Sequence, residues 1–469
     1  MKKIFSYLVL NCFAILTVFA QVQISTPPMG WNSYDSYALY LHHDAAIKNI
    51  DELAKRYKAF GYKYFVIDAG WFGEYKLRPG TNYAAEKYAT DLNINEFGLL
   101  QPSKTYFPNG LKVLADRAHS KGIKFGVHIM RGISRKAVRL NTKVQGTNYR
   151  AQDIADTTSI CVWNNQNVGV DMTKPGSQEF YNSFVNQLAS WGVDFIKADD
   201  IIPFPKEVEA LAKAVAQCGH PIVLSLSPGG NTDPNAINSF RMSNMLRVTH
   251  DIWDDQGGID QCFEAWRKWK GTETPSFYPD MDMIPFGELQ TMSPRPIGVT
   301  GKESKDEIKK LKSGGTLSNE EMLAGRGWHR QSQLSKEQQL TFITMRALAA
   351  SPLMIGGDLV SMDDFSYKLL TNSEMVACNQ NGMMGNLVYD KDKVETWLTP
   401  KKSTENCGWI GIFNRNLDKT ISVSLKEELV GLKNMKYLKF YNVWDEKNCK
   451  YNASLEIPSN SVIFLKYSM

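Results

Sequence analysis

The chain has 469 residues, of which 43% are hydrophobic and 22% charged, and its formal net charge is +5. This length allows two or three domains, and the composition is typical of a soluble globular protein. The lysines are spread along the chain rather than gathered in basic blocks, so the charge pattern predicts no nucleic-acid partner.

The N-terminus has the three-part pattern of a secretory signal peptide. Lys2 and Lys3 precede an apolar run over residues 4–19, and residues 18–20 form a small-residue cleavage pattern. The run is short for a transmembrane helix, and no later segment is long and apolar enough to span a bilayer. We therefore expect residues 1–20 to be removed and the protein to be secreted or periplasmic, with a membrane anchor as the alternative.

Six cysteines follow the predicted signal peptide. They are Cys161, Cys218, Cys262, Cys378, Cys407 and Cys449. None has the CxxC spacing of a structural zinc site, so such a site has no support. The leading interpretation of the sequence includes no metal and no cofactor. An exported protein can oxidise its cysteines, and both disulfide pairing and small buried thiols remain open.

Short apolar runs alternate with amphipathic runs from about residue 25 to residue 380. The candidate strands cover residues 62–68, 124–130, 194–199, 221–227 and 245–251. The candidate helices cover residues 45–60, 110–121 and 176–191. Each helix precedes a glycine suited to a helix C-terminus. Repeated strand–helix units predict a parallel α/β fold, either a barrel or an open sheet.

Two regions depart from this rhythm. Residues 289–333 contain the sequence SPRPIGVTGKES and a lysine-rich run, and they are predicted to be an inserted loop at the catalytic rim. From residue 385 to residue 469 the runs alternate apolar and polar residues between polar turns. That pattern predicts a separate antiparallel β-domain.

Acidic residues follow several of the predicted strands. Asp68, Asp199, Asp251 and Asp280 are the main members of this set. In a parallel barrel the C-terminal ends of the strands form one face, and active sites lie there. A pair of carboxyl groups suits a glycosidase, and a larger cluster suits a divalent metal. Helix capping and pairing with Arg or Lys are the structural alternatives.

From about Thr26 to the C-terminus, the chain resembles glycoside hydrolase family 27, the group of α-galactosidases and α-N-acetylgalactosaminidases. The matching segments are TPPMGWNSY at 26–34, FPNGLKVLADRAHSKGIKFGVH at 107–128, WGVDFIKADD at 191–200, PDMDM at 279–283, LAASPLMIGGDL at 348–359 and LLTNSEMVACNQN at 369–381. Each segment is a weak signal alone, but together and in order they are specific. The resemblance implies a (β/α)8 TIM barrel over residues 21–384 and a small antiparallel β-sandwich over residues 385–469.

The resemblance also implies roles for individual residues. Asp199 matches the family's nucleophile and Asp251 matches its acid/base. Lys197 and Arg247 resemble the residues that contact sugar hydroxyls. The walls of the sugar pocket are expected to be formed by Trp31, Asp68, Trp71, Asp280 and Met281. The chemistry requires Asp199 to be ionised and Asp251 to hold a proton.

Three positions depart from the family's pattern. The family has two adjacent aspartates that grip the 4- and 6-hydroxyls of the sugar, whereas here Asp68 is followed by Ala69. His128 stands where the family has tyrosine, and we expect its imidazole to contact the sugar. Ser227 stands where the family has glutamate near the 2-hydroxyl, as in the N-acetylgalactosaminidase branch.

The sequence therefore predicts a retaining exo-glycosidase that hydrolyses terminal α-linked sugars, with galactose as the leading glycone. N-acetylgalactosamine, β-L-arabinopyranose and glucose, as in the isomalto-dextranase branch, remain open. Two other classes are alternatives: a non-catalytic carbohydrate-binding relative and a metal-dependent barrel enzyme. The predicted partner is a carbohydrate, with no nucleic acid and no membrane span. The sequence gives no oligomeric state.

Overall fold

A computed structural model describes residues 22–293, 303, 307, 310, 311, 323–402, 404 and 406–469. Its central feature is a parallel sheet of eight strands, β1 to β8. They are Met29–Asn32, Tyr64–Ile67, Lys124–Met130, Val193–Asp199, Val223–Leu226, Met245–Arg247, Tyr278–Asp280 and Leu353–Ile355. From β1 to β7 each strand pairs with the next in chain order, and β8 pairs with β1. Ile284, just after β7, bridges to Ile355 of β8. The sheet is therefore closed, as in a (β/α)8 barrel.

Helices connect the strands and cover the outside of the barrel. In the described parts of the chain, the α-helices of six or more residues are His43–Glu52, Lys112–Ser120, Arg135–Leu140, Ser177–Ser190, Pro205–Gln217, Gln256–Trp269, Lys336–Leu348, Asp364–Leu370 and Ser373–Gln380. Three of them fall where the apolar spacing predicts helices. Gly61, Gly122 and Gly192 follow these helical segments with positive φ, as predicted for C-terminal glycines.

Side chains alternate strictly along the barrel strands. Tyr64 and Val66 of β2 pack with Phe195 of β4 and Met245 of β6 in one buried cluster inside the barrel. The intervening residues, such as Phe65 of β2, belong to the larger core under the helices. Because strand side chains repeat every two residues, the inward row of each strand continues to its C-terminal end.

The C-terminal region forms two antiparallel sheets. Strands β9 to β16 are Asn386–Lys391, Val394–Pro400, Gly408–Asn414, Ile421–Ser424, Lys439–Asn442, Lys447–Cys449, Ser454–Ile457 and Val462–Ser468. Six of them form one sheet, and β12 pairs with β15 in a second.

The larger sheet is buried on both faces. Trp397 of β10 stacks on Trp266 of the barrel with ring centroids 3.7 Å apart. Ile410 and Ile412 of β11 face the other way, toward Leu455 of the small sheet. This arrangement confirms the predicted C-terminal antiparallel β-structure and packs it firmly against the barrel.

Several predictions concern segments that are only partly described. The predicted signal peptide lies outside the described residues, as does most of the predicted insertion after residue 293. All six later cysteines are described, and each is a free thiol rather than part of a disulfide. No helix in the described parts of the chain is long and apolar enough to cross a membrane.

Candidate active site

A cleft of about 1120 Å³ opens at the C-terminal ends of the barrel strands. Of the residues predicted from the sequence, it is lined by Asp68, His128, Lys197, Asp199, Arg247 and Asp251. Asp68 directly follows β2, and Asp199 ends β4. The inward alternation of the strands brings these side chains together, as expected for a barrel active site.

Asp68 and Lys197 form a buried ion pair in this cleft. Lys197 Nζ lies 2.8 Å from Asp68 Oδ2, and Asn32 Nδ2 donates to the same oxygen at 2.8 Å. Burial opposes ionisation of Asp68, but the charges of Lys197 and His128, together with hydrogen bonds from Lys197 and the Ala69 amide, outweigh it and lower the pKa of Asp68 to about 2. The pair keeps a negative and a positive group available for polar contacts with a ligand.

Asp199 is held in its ionised form by neighbouring donors. His128 Nε2 lies 3.1 Å from Asp199 Oδ2, and the Asp200 amide donates to Asp199 Oδ1 at 3.0 Å. Burial raises the pKa of Asp199, but the His128 hydrogen bond and the charges of Arg247 and Lys197 bring it well below its ordinary value. A buried carboxylate with one accessible edge and a low pKa suits a nucleophile.

Arg247, at the end of β6, bridges two carboxylates. Its Nη2 donates to Asp251 Oδ1 at 2.8 Å, and its Nη1 lies 3.4 Å from Asp282 Oδ1. The Asp251 side chain is 65% exposed, whereas the Arg247 side chain is almost fully buried. Asp251 therefore faces the open side of the cleft, where a leaving group and water have access.

Two further carboxyl groups near the site favour the neutral form. Burial, followed by the charge of Asp282, raises the pKa of Asp280 to about 6. Burial and the same neighbour also raise the pKa of Asp35 well above its ordinary value. Neither carboxyl oxygen of Asp35 has a hydrogen-bond partner, although the residue lines the cleft. Asp35 in the cleft lining and the buried Asp280 therefore hold a proton more readily than Asp68 and Asp199 do.

The remaining predicted site residues lie behind the cleft lining. Trp31 faces the helices, because its neighbours Gly30 and Asn32 take the inward positions of β1, and its Nε1 donates to Gly357 O at 2.8 Å. Trp71 is also buried, and its Nε1 donates to His128 O at 2.8 Å. These indoles support the strands rather than form the pocket wall.

At the C-terminal end of β7, the residues that line the cleft are two positions later in the chain than the predicted ones. Met281 is fully buried in the outer core, and Asp280 is buried beneath the cleft. Asp282, whose φ is +75°, and Met283 line the cleft in their place. Ser227 is buried as well, and the neighbouring Pro228 reaches the surface of the cleft.

Sequence reasoning missed several residues of the lining. Tyr34 and Asp35 lie in the short helix Tyr34–Tyr37 directly after β1, and Arg326 lies at the end of the predicted insertion. The two-residue alternation of β1 was the available signal, since it turns Trp31 outward and leaves the pocket wall to residues beyond the strand.

The described residues contain no group of three or more His, Cys, Asp or Glu side chains arranged to hold a metal ion. Asp199 and Asp251 line one cleft at the C-terminal face of the barrel, where barrel enzymes have their active sites, and a glycoside hydrolase uses two carboxyl groups on one glycosidic bond.

Comparisons with known proteins identify the family. Residues 19–213 match the Melibiase family model. The α-galactosidase of Coffea arabica is 26% identical over 445 residues, which cover 93% of this chain and 92% of that protein. Among solved structures, a family 27 β-L-arabinopyranosidase from Geobacillus stearothermophilus is 34% identical, with a TM-score of 0.81 and coverage of 95% of this chain and 97% of its own.

A second solved structure is nearly as similar. It is a putative α-N-acetylgalactosaminidase from Bacillus halodurans C-125, with 32% identity, a TM-score of 0.76, and coverage of 96% of this chain and 99% of that one. The chain belongs to glycoside hydrolase family 27, and it is a glycoside hydrolase.

Removing the His128 imidazole tests its effect on Asp199. In His128→Ala the carboxylate loses a hydrogen bond, so the pKa of Asp199 should rise and the acid limb of the kcat/KM profile should move to higher pH. We also expect kcat/KM to fall by at least about tenfold, since one hydrogen bond to a charged group contributes about 1.5–3 kcal/mol.

A matched control for this substitution is His220→Ala. His220 Nε2 lies 3.0 Å from Asp194 Oδ1, near the opposite end of β4, so the variant removes a histidine–aspartate pair outside the cleft. An acid limb that stays in place in His128→Ala, or that moves equally in both variants, would contradict the assigned role of His128.

Proposed function

We propose that the protein is a retaining exo-glycosidase that removes a terminal sugar of α-galactosyl configuration and reads the 6-position weakly. On this proposal β-L-arabinopyranosides, which have the ring configuration of α-D-galactosides but lack C6, are hydrolysed at least as well as α-galactosides. The observation that carries the proposal is Ala69, which lines the cleft directly beside Asp68.

The first step of the reaction is assigned to the ionised carboxylate. Asp199 attacks the anomeric carbon, and Asp251 donates a proton to the oxygen of the leaving group. A covalent glycosyl-enzyme forms as the bond to the leaving group breaks. Asp251 then takes a proton from water, and the resulting hydroxide displaces Asp199 and releases the sugar. The exposed position of Asp251 supports its role as the acid/base, because the leaving group departs to solvent and the attacking water enters from it.

Binding of the sugar ring is assigned to the buried charged groups. Asp68 and Lys197 offer an acceptor and a donor within 2.8 Å of each other. The methyl group of Ala69 can form no hydrogen bond, so a hydroxymethyl substituent at this side of the ring gains no charged contact from that position. A glycone without a hydroxymethyl group therefore loses no hydrogen bond at position 69. This favours the arabinopyranosyl ring as a substrate.

An α-N-acetylgalactosaminide is the second candidate substrate. The family resemblance places Ser227, and not the family's glutamate, near the 2-hydroxyl; Ser227 is itself buried and the neighbouring Pro228 lines the cleft, so no carboxylate occupies this side where an acetamido group would lie. The 32% identity to a putative α-N-acetylgalactosaminidase adds to this candidate. Because residues 1–20 have a signal-peptide pattern, we further propose that the substrate is met outside the cytoplasm.

The stereochemistry of the reaction tests the double-displacement mechanism. If Asp199 is the nucleophile, the first sugar released has the same anomeric configuration as the substrate, since two inversions restore it. Proton NMR during the first minutes of hydrolysis, before mutarotation, distinguishes the two anomers. An inverted first product would refute the assignment of Asp199.

Substrate preference tests the role of Ala69. We expect the unmodified enzyme to hydrolyse 4-nitrophenyl β-L-arabinopyranoside with a kcat/KM at least equal to that for the α-galactoside. Ala69→Asp restores a second carboxylate, so the ratio should shift toward the α-galactoside by about one to two decades, the value of a charged hydrogen bond of about 1.5–3 kcal/mol. The α-N-acetylgalactosaminide completes the panel.

The matched control is Ala89→Asp, which adds the same charge to the cleft lining in the segment 87–92 rather than next to Asp68 in the chain. Its substrate ratio should stay that of the unmodified enzyme. An unmodified enzyme that prefers the α-galactoside by tenfold or more would contradict weak reading of the 6-position, as would equal shifts in the two variants. A dominant rate on the acetamido sugar would select the second candidate.

A further inference from the structure

The cleft extends well beyond its catalytic carboxylates. Its volume of about 1120 Å³ exceeds the range of about 300–1,000 Å³ that is usual for sites of drug-sized ligands. Two segments outside the barrel line its outer part, residues 87–92 and residues 161–166. A single sugar ring does not need a cleft of this size, so the outer part is available to another part of the substrate.

The segment 161–166 is anchored to residues next to the nucleophile Asp199. It connects two antiparallel strands, Ala155–Ile160 and Asn167–Val170. Asn167 Nδ2 donates to Arg131 O at 2.9 Å, and Arg131 also forms an ion pair with Asp200 at 3.1 Å. Since Asp200 follows the nucleophile, the base of this segment is held at a fixed position relative to Asp199.

The segment 87–92 is fixed as well. Lys136 Nζ lies 2.6 Å from Asp91 Oδ2 and donates to Leu92 O at 2.8 Å. Lys136 belongs to the helix Arg135–Leu140, which follows β3. Both segments are therefore tied to the elements that follow β3 and β4, the strands that carry His128 and Asp199.

Each segment presents an exposed aromatic ring at the cleft. Trp163 is 52% exposed and Tyr88 is 65% exposed, and both line the cleft. Neither ring contributes much to the hydrophobic core, because about half or more of its surface is exposed to water. Exposed aromatic surface of this kind is typical of a binding site, and a flat ring can pack against the C–H face of a sugar.

Polar side chains accompany the indole. Asn164, Asn165 and Gln166 line the same part of the cleft. Side-chain amides both donate and accept, which suits hydroxyl groups rather than a lipid chain. Aromatic faces beside amides therefore favour a carbohydrate over an alkyl aglycone.

We propose that Trp163 and Tyr88 bind the unit on the leaving-group side of the scissile bond and thereby determine how strongly the enzyme prefers a sugar aglycone over a small leaving group. This proposal rests on the proposed exo-glycosidase function and adds the class of aglycone. Trp163 packs on the ring of the aglycone sugar, and the exposed Asp251 protonates the oxygen that joins it to the terminal residue.

Two substrates with the same glycone separate the subsite from the catalytic centre. A glycosyl fluoride has no aglycone ring, whereas a trisaccharide places a sugar in the proposed subsite. In Trp163→Ala the ratio of kcat/KM for the trisaccharide to kcat/KM for the fluoride should fall about tenfold. That factor corresponds to about 1.4 kcal/mol, within the range for one aromatic contact. Trp163→Phe should retain most of the ratio, and Tyr88→Ala should lower it.

The control is Tyr437→Ala, which removes from the C-terminal region an aromatic ring as exposed as that of Tyr88. Its ratio should equal that of the unmodified enzyme. Equal losses on both substrates in Trp163→Ala, or no loss on the trisaccharide, would overturn the subsite. If the unmodified enzyme hydrolyses neither the arabinopyranosyl nor the galactosyl fluoride, the proposed function itself fails. Hydrolysis of a fluoride with an unchanged ratio refutes the subsite alone.

Discussion

Alternation of side chains along eight closed parallel strands is the constraint on which the rest of the structure depends. The inward row of β2 runs from Tyr64 through Val66 and leads to Asp68, and that of β4 runs from Phe195 through Lys197 to Asp199. In each case a packed apolar side chain at the bottom of the barrel fixes the direction of a charged side chain at the top. The active site is thus the last layer of the barrel interior.

Placing charged groups in that layer requires that each has a partner. Lys197 balances Asp68, and Arg247 balances both Asp251 and Asp282. An isolated buried charge would neutralise by a pKa shift, whereas Asp68 and Lys197 keep their charges because the two groups lie within hydrogen-bond distance of each other. Asp199 benefits from the same network, because the charges of Arg247 and Lys197 and the His128 hydrogen bond favour its ionised, nucleophilic form despite its burial.

The sequence was sufficient for the barrel, for the C-terminal β-structure and for the residues that converge on the cleft. Short apolar strands ending in acids carry that information locally, and Asp68, Asp199 and Arg247 lie at or directly beyond strand ends. The predicted positions of side chains were wrong where they depended on which face of a strand a residue occupies. Trp31 was expected in the pocket but faces the helices, because a displacement of one residue reverses the face. The positive φ at Asp282 was likewise invisible in a sequence of alternating Asp and Met.

Folding changes the proton affinities of the carboxyl groups around the cleft in opposite directions. Asp68, with its pKa lowered to about 2 against the effect of burial, stabilises the fold above about pH 4 and loses that contribution as the pH falls through 2. Burial and the charge of Asp282 raise the pKa of Asp280 to about 6, so its contribution is complete below about pH 4 and is lost as the pH rises through 6. The raised pKa of Asp35 acts in the same direction as that of Asp280. In mildly acidic solution the protein therefore takes up protons at these two buried acids as it folds, and neutral solution weakens the native state through the same two groups.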